Sequence, residues 1–141
     1  MKIAIVASRF NSEIVDGLIA GAMDGIRKSE IKPEDVTVIR VPGAFEIPLA
    51  AQRAALSKKY DGIIAIGCVI HGETHHFEYI SQQATLGVGR VALDHALPVA
   101  FGILTVDTEE QAMARSQPDE NNKGLEAAMA VVEMVNVLKK M

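Results

Sequence analysis

Apolar residues fall along this chain in two kinds of stretch. Four are short and continuous, at 3–7, 36–41, 62–69 and 99–104, and are rich in Ile, Val and Ala. An apolar run without alternation predicts a strand buried on both faces, the pattern of parallel strands covered by helices. The segments between them have helical spacing. Ile14, Leu18, Ala22 and Ile26 recur every four residues, and Ile47, Leu49, Ala50 and Ala54 form a face among Ala-rich filler. A third helical segment runs from about 74 to 95, and 125–138 is strongly helical in composition. Turn signals precede strands at Asp61-Gly62 and at "KPED" (32–35). Asn11 or Ser12 can cap the first helix. Thr108 with Gln111 three residues later fits a capping box opening a short helix over 109–116. Pro118 stops that helix, and "DENN" (119–122) caps the last one. The order βαβαβαβαα predicts an α/β fold: a three-layer α/β/α, flavodoxin-like domain over 1–141 with an open four-stranded parallel sheet.

In such sheets ligands bind beyond the carboxyl ends of the strands, where the strand order reverses. Four loops are thereby expected near one another: "SRFNS" (8–12), "VPGAFE" (41–46), "HGETHH" (71–76) and "TVDTEE" (105–110).

Composition narrows the function classes. With 141 residues, 49% hydrophobic and 23% charged, the chain is expected to be one globular domain with a real core. Its net charge of −4 gives no basic face for nucleic acid or an anionic membrane, so any bound anion must be held locally. The single cysteine, Cys68, lies inside the apolar run "GIIAIGCVI". It excludes a disulfide within the chain and reads as a small core residue in a reducing, cytoplasmic setting. The opening "MKIAIVAS" is too short an apolar run for a secretion signal, and no stretch approaches the length of a membrane span.

The densest chemistry sits in "GCVIHGETHHFEYI" (67–80), with His71, His75, His76 and two carboxylates. Zinc needs converging ligands, but Gly72 and a strand end separate His71 from His75, HExxH is absent, and "HGE" lacks the downstream PCxxC of a zinc deaminase. An anion site fits better, because "HGET" leaves a strand and opens a helix, where free N–H groups and the helix dipole face a ligand. Thr74 can add a hydroxyl donor or simply cap that helix. There is no GxGxxG after the first strand and no Walker A motif. Histidine is the natural acid/base group near neutrality. Adjacent His75 and His76 diverge by about a quarter turn on a helix, and the residues themselves do not choose between them. Phe10 and Phe45 occupy strand-end loops of a chain only 4% aromatic, where two rings can sandwich a planar ligand. Phe101, within the fourth strand, has core packing as its default role. Arg115 and Lys123 flank "SQPDENN" (116–122), where solvation is the default.

Five ordered motifs, "RFN", "VPGAFEIP", "GCVIHGETHHF", "PVAFGILTVDTEEQA" and "NKGLEAA", run almost end to end. Their order and separations resemble the 6,7-dimethyl-8-ribityllumazine synthase family of riboflavin biosynthesis. The resemblance implies a transferase that condenses 5-amino-6-(D-ribitylamino)uracil with 3,4-dihydroxy-2-butanone 4-phosphate, without cofactor or metal. It implies that Phe10 stacks on the pyrimidine, with Asn11 near the ribityl chain. Ala44, Phe45 and Glu46 would line the same pocket, Glu46 accepting from ribityl hydroxyls. Val69, Ile70 and His71 would read the pyrimidine edge through their backbone. Gly72, Glu73 and Thr74 would offer N–H groups to a phosphate, paired with Arg115, and His76 would transfer protons. Phe101 and Lys123 would complete a site shared with a neighbouring subunit.

The implied partners are two small-molecule substrates and further copies of the chain, as a pentamer or an assembly of pentamers, with riboflavin synthase a candidate associate. Family members often carry an extension ahead of the first strand, glycines and an extra lysine where this chain reads "SQPDENN", and arginine where it has His71. The rival readings are a non-catalytic flavin- or lumazine-binding protein and a shell-forming protein on the same scaffold.

Overall fold

The computed structural model describes residues 1–141. Its elements are β1 (Ile3–Ser8), α1 (Ser12–Lys28), β2 (Val36–Val41), α2 (Ile47–Leu56), β3 (Gly62–Ile70), α3 (His76–His95), β4 (Val99–Val106), α4 (Glu109–Ala114) and α5 (Lys123–Lys139). Single 3₁₀ turns at Pro33–Asp35 and Ala44–Glu46 lead into β2 and α2. The strands pair in parallel in the order β2-β1-β3-β4. From β1 the chain passes outward to β2 and then returns to β3 on β1's other side, so the order reverses between β1 and β3.

The two central strands are continuous in apolar character because both of their faces are covered. Successive side chains of a strand point to opposite faces. Ile3, Ile5 and Ala7 of β1, with Ile64 and Ile66 of β3, pack under α1 and α5 against Leu18, Ala22, Ala128 and Val131. Ala4 and Val6, with Ile63 and Ala65, pack on the other face under α2 and α3, against Ile47, Ala51, Ala84 and Val88. This is the expected three-layer, flavodoxin-like α/β arrangement.

Two elements differ from the sequence reading. β2 is not buried on both faces: Thr37, Val38 and Arg40 are exposed, because β2 has only β1 beside it. Arg40 uses the opening to pair with Asp16 at 3.1 Å and to donate to the Ser8 carbonyl at 3.2 Å. In α2 the buried face is Ile47, Ala51, Ala54 and Ala55, while Leu49 is exposed. A run this rich in alanine offers several apolar stripes, and contact with the sheet selects one of them.

Local signals set the ends of the later helices. The Thr108 hydroxyl accepts from Gln111 N–H at 3.1 Å, and the Gln111 side-chain oxygen accepts from Thr108 N–H at 3.3 Å, which completes the capping box of α4. That helix ends at Ala114, short of Pro118. Asn122 caps α5, its side-chain oxygen accepting from Gly124 N–H (2.9 Å) and Leu125 N–H (3.2 Å). Its amide donates to the carbonyls of Gly17 (3.0 Å) and Gln117 (2.8 Å), so this buried residue also fastens α5 to α1. No helix is long and apolar enough to cross a membrane.

Candidate active site

The carboxyl ends of β1 and β3 lie side by side at the reversal of strand order, and the loops leaving them diverge. A cleft of about 430 Å³ opens there. The β1 loop contributes Phe10 and Asn11, and the β2 loop contributes Pro42 through Glu46. Cys68, Val69 and Ile70 at the end of β3 and His76, Phe77 and Ile80 on the first turns of α3 complete the lining.

The β1 loop is tied to the β2 end by Arg9 N–H to the Val41 carbonyl (2.7 Å) and Phe10 N–H to the Pro42 carbonyl (3.1 Å). Asn11 occupies the capping position of α1 but does not cap it. Its backbone is left-handed (φ 59°, ψ 49°), and its side-chain amide donates to the Cys68 carbonyl at 2.9 Å. Phe10 and Phe45 are 72% and 57% exposed at the cleft. Two bare rings in a protein with so few aromatics leave apolar surface that a planar ligand would cover. Cys68 is buried in the cleft wall, and burial pushes its thiol up to about 11, so it stays protonated and is no nucleophile at neutral pH.

Beyond β3, His71 N–H donates to the Val106 carbonyl at 2.8 Å and extends the strand ladder by one bond. The helix expected from about 74 begins at His76. Gly72, Glu73 and Thr74 form an exposed bend before it, and the N–H groups of Gly72, Glu73, Thr74 and His75 have no partner within the protein. Thr74 acts only weakly as a cap, its hydroxyl accepting from His76 N–H at 3.4 Å. The side chain of His75 is 84% exposed and lies 3.7 Å from Glu78. His71, Glu73, His75 and His76 do not converge into a group able to hold a metal ion.

A reversal-point cleft with exposed aromatic walls and a histidine on its rim is paired with a sequence match of nearly full length. The family model described as 6,7-dimethyl-8-ribityllumazine synthase matches residues 1–139. The chain belongs to this family. Members are transferases, and the family carries lumazine synthase activity in riboflavin biosynthesis.

Within this lumazine synthase fold, the cleft gathers Phe10, Asn11, Ala44, Phe45, Glu46, Val69, Ile70 and His76 from four separate segments. Of the neighbouring histidines, His76 lines the cleft and His75 does not. His71, Gly72, Glu73 and Thr74 lie outside the lining, as an exposed continuation of the β3 end. Phe101, Arg115 and Lys123 are elsewhere in the subunit. Phe101 stands mid-strand on the edge strand β4, opposite Ala65 and 45% exposed. Arg115 N–H groups serve its own helix, donating to the Gln111 carbonyl at 3.0 Å, and Lys123 pairs with Glu126 at 2.7 Å. Lys123 N–H donates to the Arg115 carbonyl at 2.9 Å, which holds these two residues together at the junction of α4 and α5. That junction belongs to the layer of α1 and α5, whereas the cleft opens on the layer of α2 and α3.

Sequence reasoning missed Pro42, Gly43, Cys68, Phe77 and Ile80 as lining residues. Ile80 follows His76 by one helical turn, and that spacing could have identified it. By sequence Cys68 reads as core, and in the structure it is core on one side and cleft wall on the other.

Proposed function

We propose that the protein condenses 5-amino-6-(D-ribitylamino)uracil with 3,4-dihydroxy-2-butanone 4-phosphate to give 6,7-dimethyl-8-ribityllumazine, phosphate and water. The observation that carries this reading is the pairing, at one cleft, of two exposed phenylalanines with His76 and an adjacent bend of unbonded N–H groups. In this reading Phe10 and Phe45 hold the pyrimidine, and Asn11, Ala44 and Glu46 receive the ribityl chain. The backbone of Val69, Ile70 and His71 meets the pyrimidine edge. The N–H groups of Gly72, Glu73 and Thr74 receive the phosphate, as donors fixed in advance of the reaction.

The substrate amine attacks the ketone and loses water to form an imine. Phosphate then leaves, and the ring closes with loss of a second water. His76 takes up and returns the protons these steps move. The condensation is redox-neutral overall and calls for no redox cofactor, and much of the acceleration comes from holding two substrates in register. Arg115, Lys123 and Phe101 act in the cleft of a neighbouring copy, since within one subunit they lie away from it. This arrangement needs neighbouring copies of the chain, and the assembly we propose is a pentamer, alone or within a larger shell. The whole of 1–141 serves as one domain, and the buried, unpaired Cys68 suits a reducing cytoplasm.

The test is to mix the protein with both substrates and follow lumazine absorbance and phosphate release together. Stoichiometric appearance of both is expected. Tight binding of the lumazine without turnover would sink the enzymatic reading in favour of a carrier.

A further inference from the structure

The helix that carries His76 starts with little to hold it. Its capping position, His75, makes no side-chain hydrogen bond, and the only hydroxyl nearby, Thr74, accepts from His76 N–H at a long 3.4 Å. The first-turn bonds to the His75 carbonyl, from Glu78 and Tyr79, measure 3.1 and 3.5 Å. By contrast, α4 opens on a complete capping box and α5 on a buried asparagine that accepts two bonds. The bend leading into α3 adds little restraint, because its N–H groups are unbonded and nothing lies within 4 Å of where a Cβ on Gly72 would sit.

One contact spans that bend. The ring of His71 meets the ring of Phe77 edge-on, with centroids 5.1 Å apart and planes at 64°. This is the favoured geometry for an aromatic pair. His71 is itself fixed, its N–H bonded to the Val106 carbonyl as the last rung of the β3–β4 ladder. Phe77 packs onto the core under α2 and α3, lines the cleft, and is the next residue after His76.

We propose that His71 is a positioning residue: its ring, anchored at the end of the sheet, braces Phe77 and so holds the first turn of α3 with His76 at the cleft. The assignment rests on the enzymatic reading for its catalytic consequence, but not for the mechanical one. The ring of His71 therefore has a role separate from any backbone contact to substrate. It substitutes for the side-chain cap that α3 lacks, and leaves the N–H groups of the bend free for an anion.

The experiment uses the assembled full-length protein and three variants, His71→Ala, His71→Gln and His71→Phe. Hydrogen–deuterium exchange followed by mass spectrometry reads the segment 72–80. Loss of the ring is expected to speed exchange there about fivefold in the Ala and Gln variants, with β3 and α5 unchanged, and His71→Phe should restore it. In turnover, Ala and Gln should lower kcat about tenfold with KM within about twofold, and Phe should recover most of the loss. Unchanged exchange in both ringless variants overturns the proposal, as does a Phe variant as impaired as Ala. Faster exchange with an unaltered kcat overturns the link to His76. If the wild-type protein itself fails to turn over, the reaction assigned above falls, while the exchange data still decide whether His71 braces the helix.

Discussion

The side-chain amide of Asn11 donates to the Cys68 carbonyl at 2.9 Å, a bond that joins the loop after β1 to the end of β3 across the reversal of strand order. Both residues line the cleft, so one hydrogen bond sets the spacing of two of its walls. Its geometry depends on the left-handed backbone of Asn11, a conformation asparagine tolerates better than most residues.

Replacing Asn11 separates these two contributions. Asn11→Ala loses the bond and places a Cβ residue in a left-handed conformation, for an expected cost of about 2 kcal/mol. Asn11→Gly loses only the bond, and should cost about 1 kcal/mol. Urea unfolding of the two variants checks the difference. Both should also bind the lumazine more weakly, because Phe10 is next to the released residue.

His76→Ala is expected to lower kcat by about a hundredfold or more, the usual range for a positioned general acid–base. His75→Ala should stay within about twofold, its exposed pairing with Glu78 being worth little. Steady-state kinetics of the two variants settle the assignment; the reverse ranking would refute it.

If Arg115 works in a neighbour's cleft, two inactive variants can rescue each other. His76→Ala and Arg115→Ala subunits, dissociated, mixed equally and reassembled, should recover about a quarter of wild-type activity, since random mixing gives that fraction of sites with both native residues. Sites confined to one subunit would give none.

Cys68 should resist alkylation. Its raised thiol pKa, caused by burial, means that at pH 8 iodoacetamide should react at least about tenfold more slowly with the folded protein than with the urea-unfolded chain. The same shift fixes the sign of a pH effect on stability. The unfolded thiol ionises first as pH rises above about 9, so the contribution of Cys68 is intact below that pH and is lost on the way to about 11. Urea midpoints of the wild type and Cys68→Ala across this window report it, the variant showing the shallower decline.

Gly124 lets α5 approach α1. A Cβ at this position would overlap the Leu18 carbonyl oxygen, a backbone atom that cannot rotate aside. Gly124→Ala should cost about 3 kcal/mol despite the better helix propensity of alanine, as urea unfolding would show.

Much of this architecture is legible in the chain itself. The core strands β1 and β3 read as unbroken apolar runs because helices cover both of their faces, and the start of α4 follows from the local pairing of Thr108 with Gln111. β2 carries the same apolar pattern but stands half exposed, since composition records what a strand can bury and not how many neighbours it has. The loops bearing Phe10, Phe45 and His76 are expected together because each leaves the carboxyl end of a parallel strand, and they do line one cleft, whereas the fourth such loop, 105–110, contributes nothing to the lining.

The sequence by itself thus determined the layered fold and the family, because hydrophobic period, caps and ordered motifs are properties of residues close together in the chain. Tertiary structure alone decided that Asn11 bonds to Cys68 and leaves α1 uncapped, that His76 and not His75 lines the cleft, and that Arg115 and Lys123 sit in the other layer. Each of these is a competition among partners distant in sequence. Its outcome depends on where the strands and helices carry the competing groups, and no local pattern contains that information.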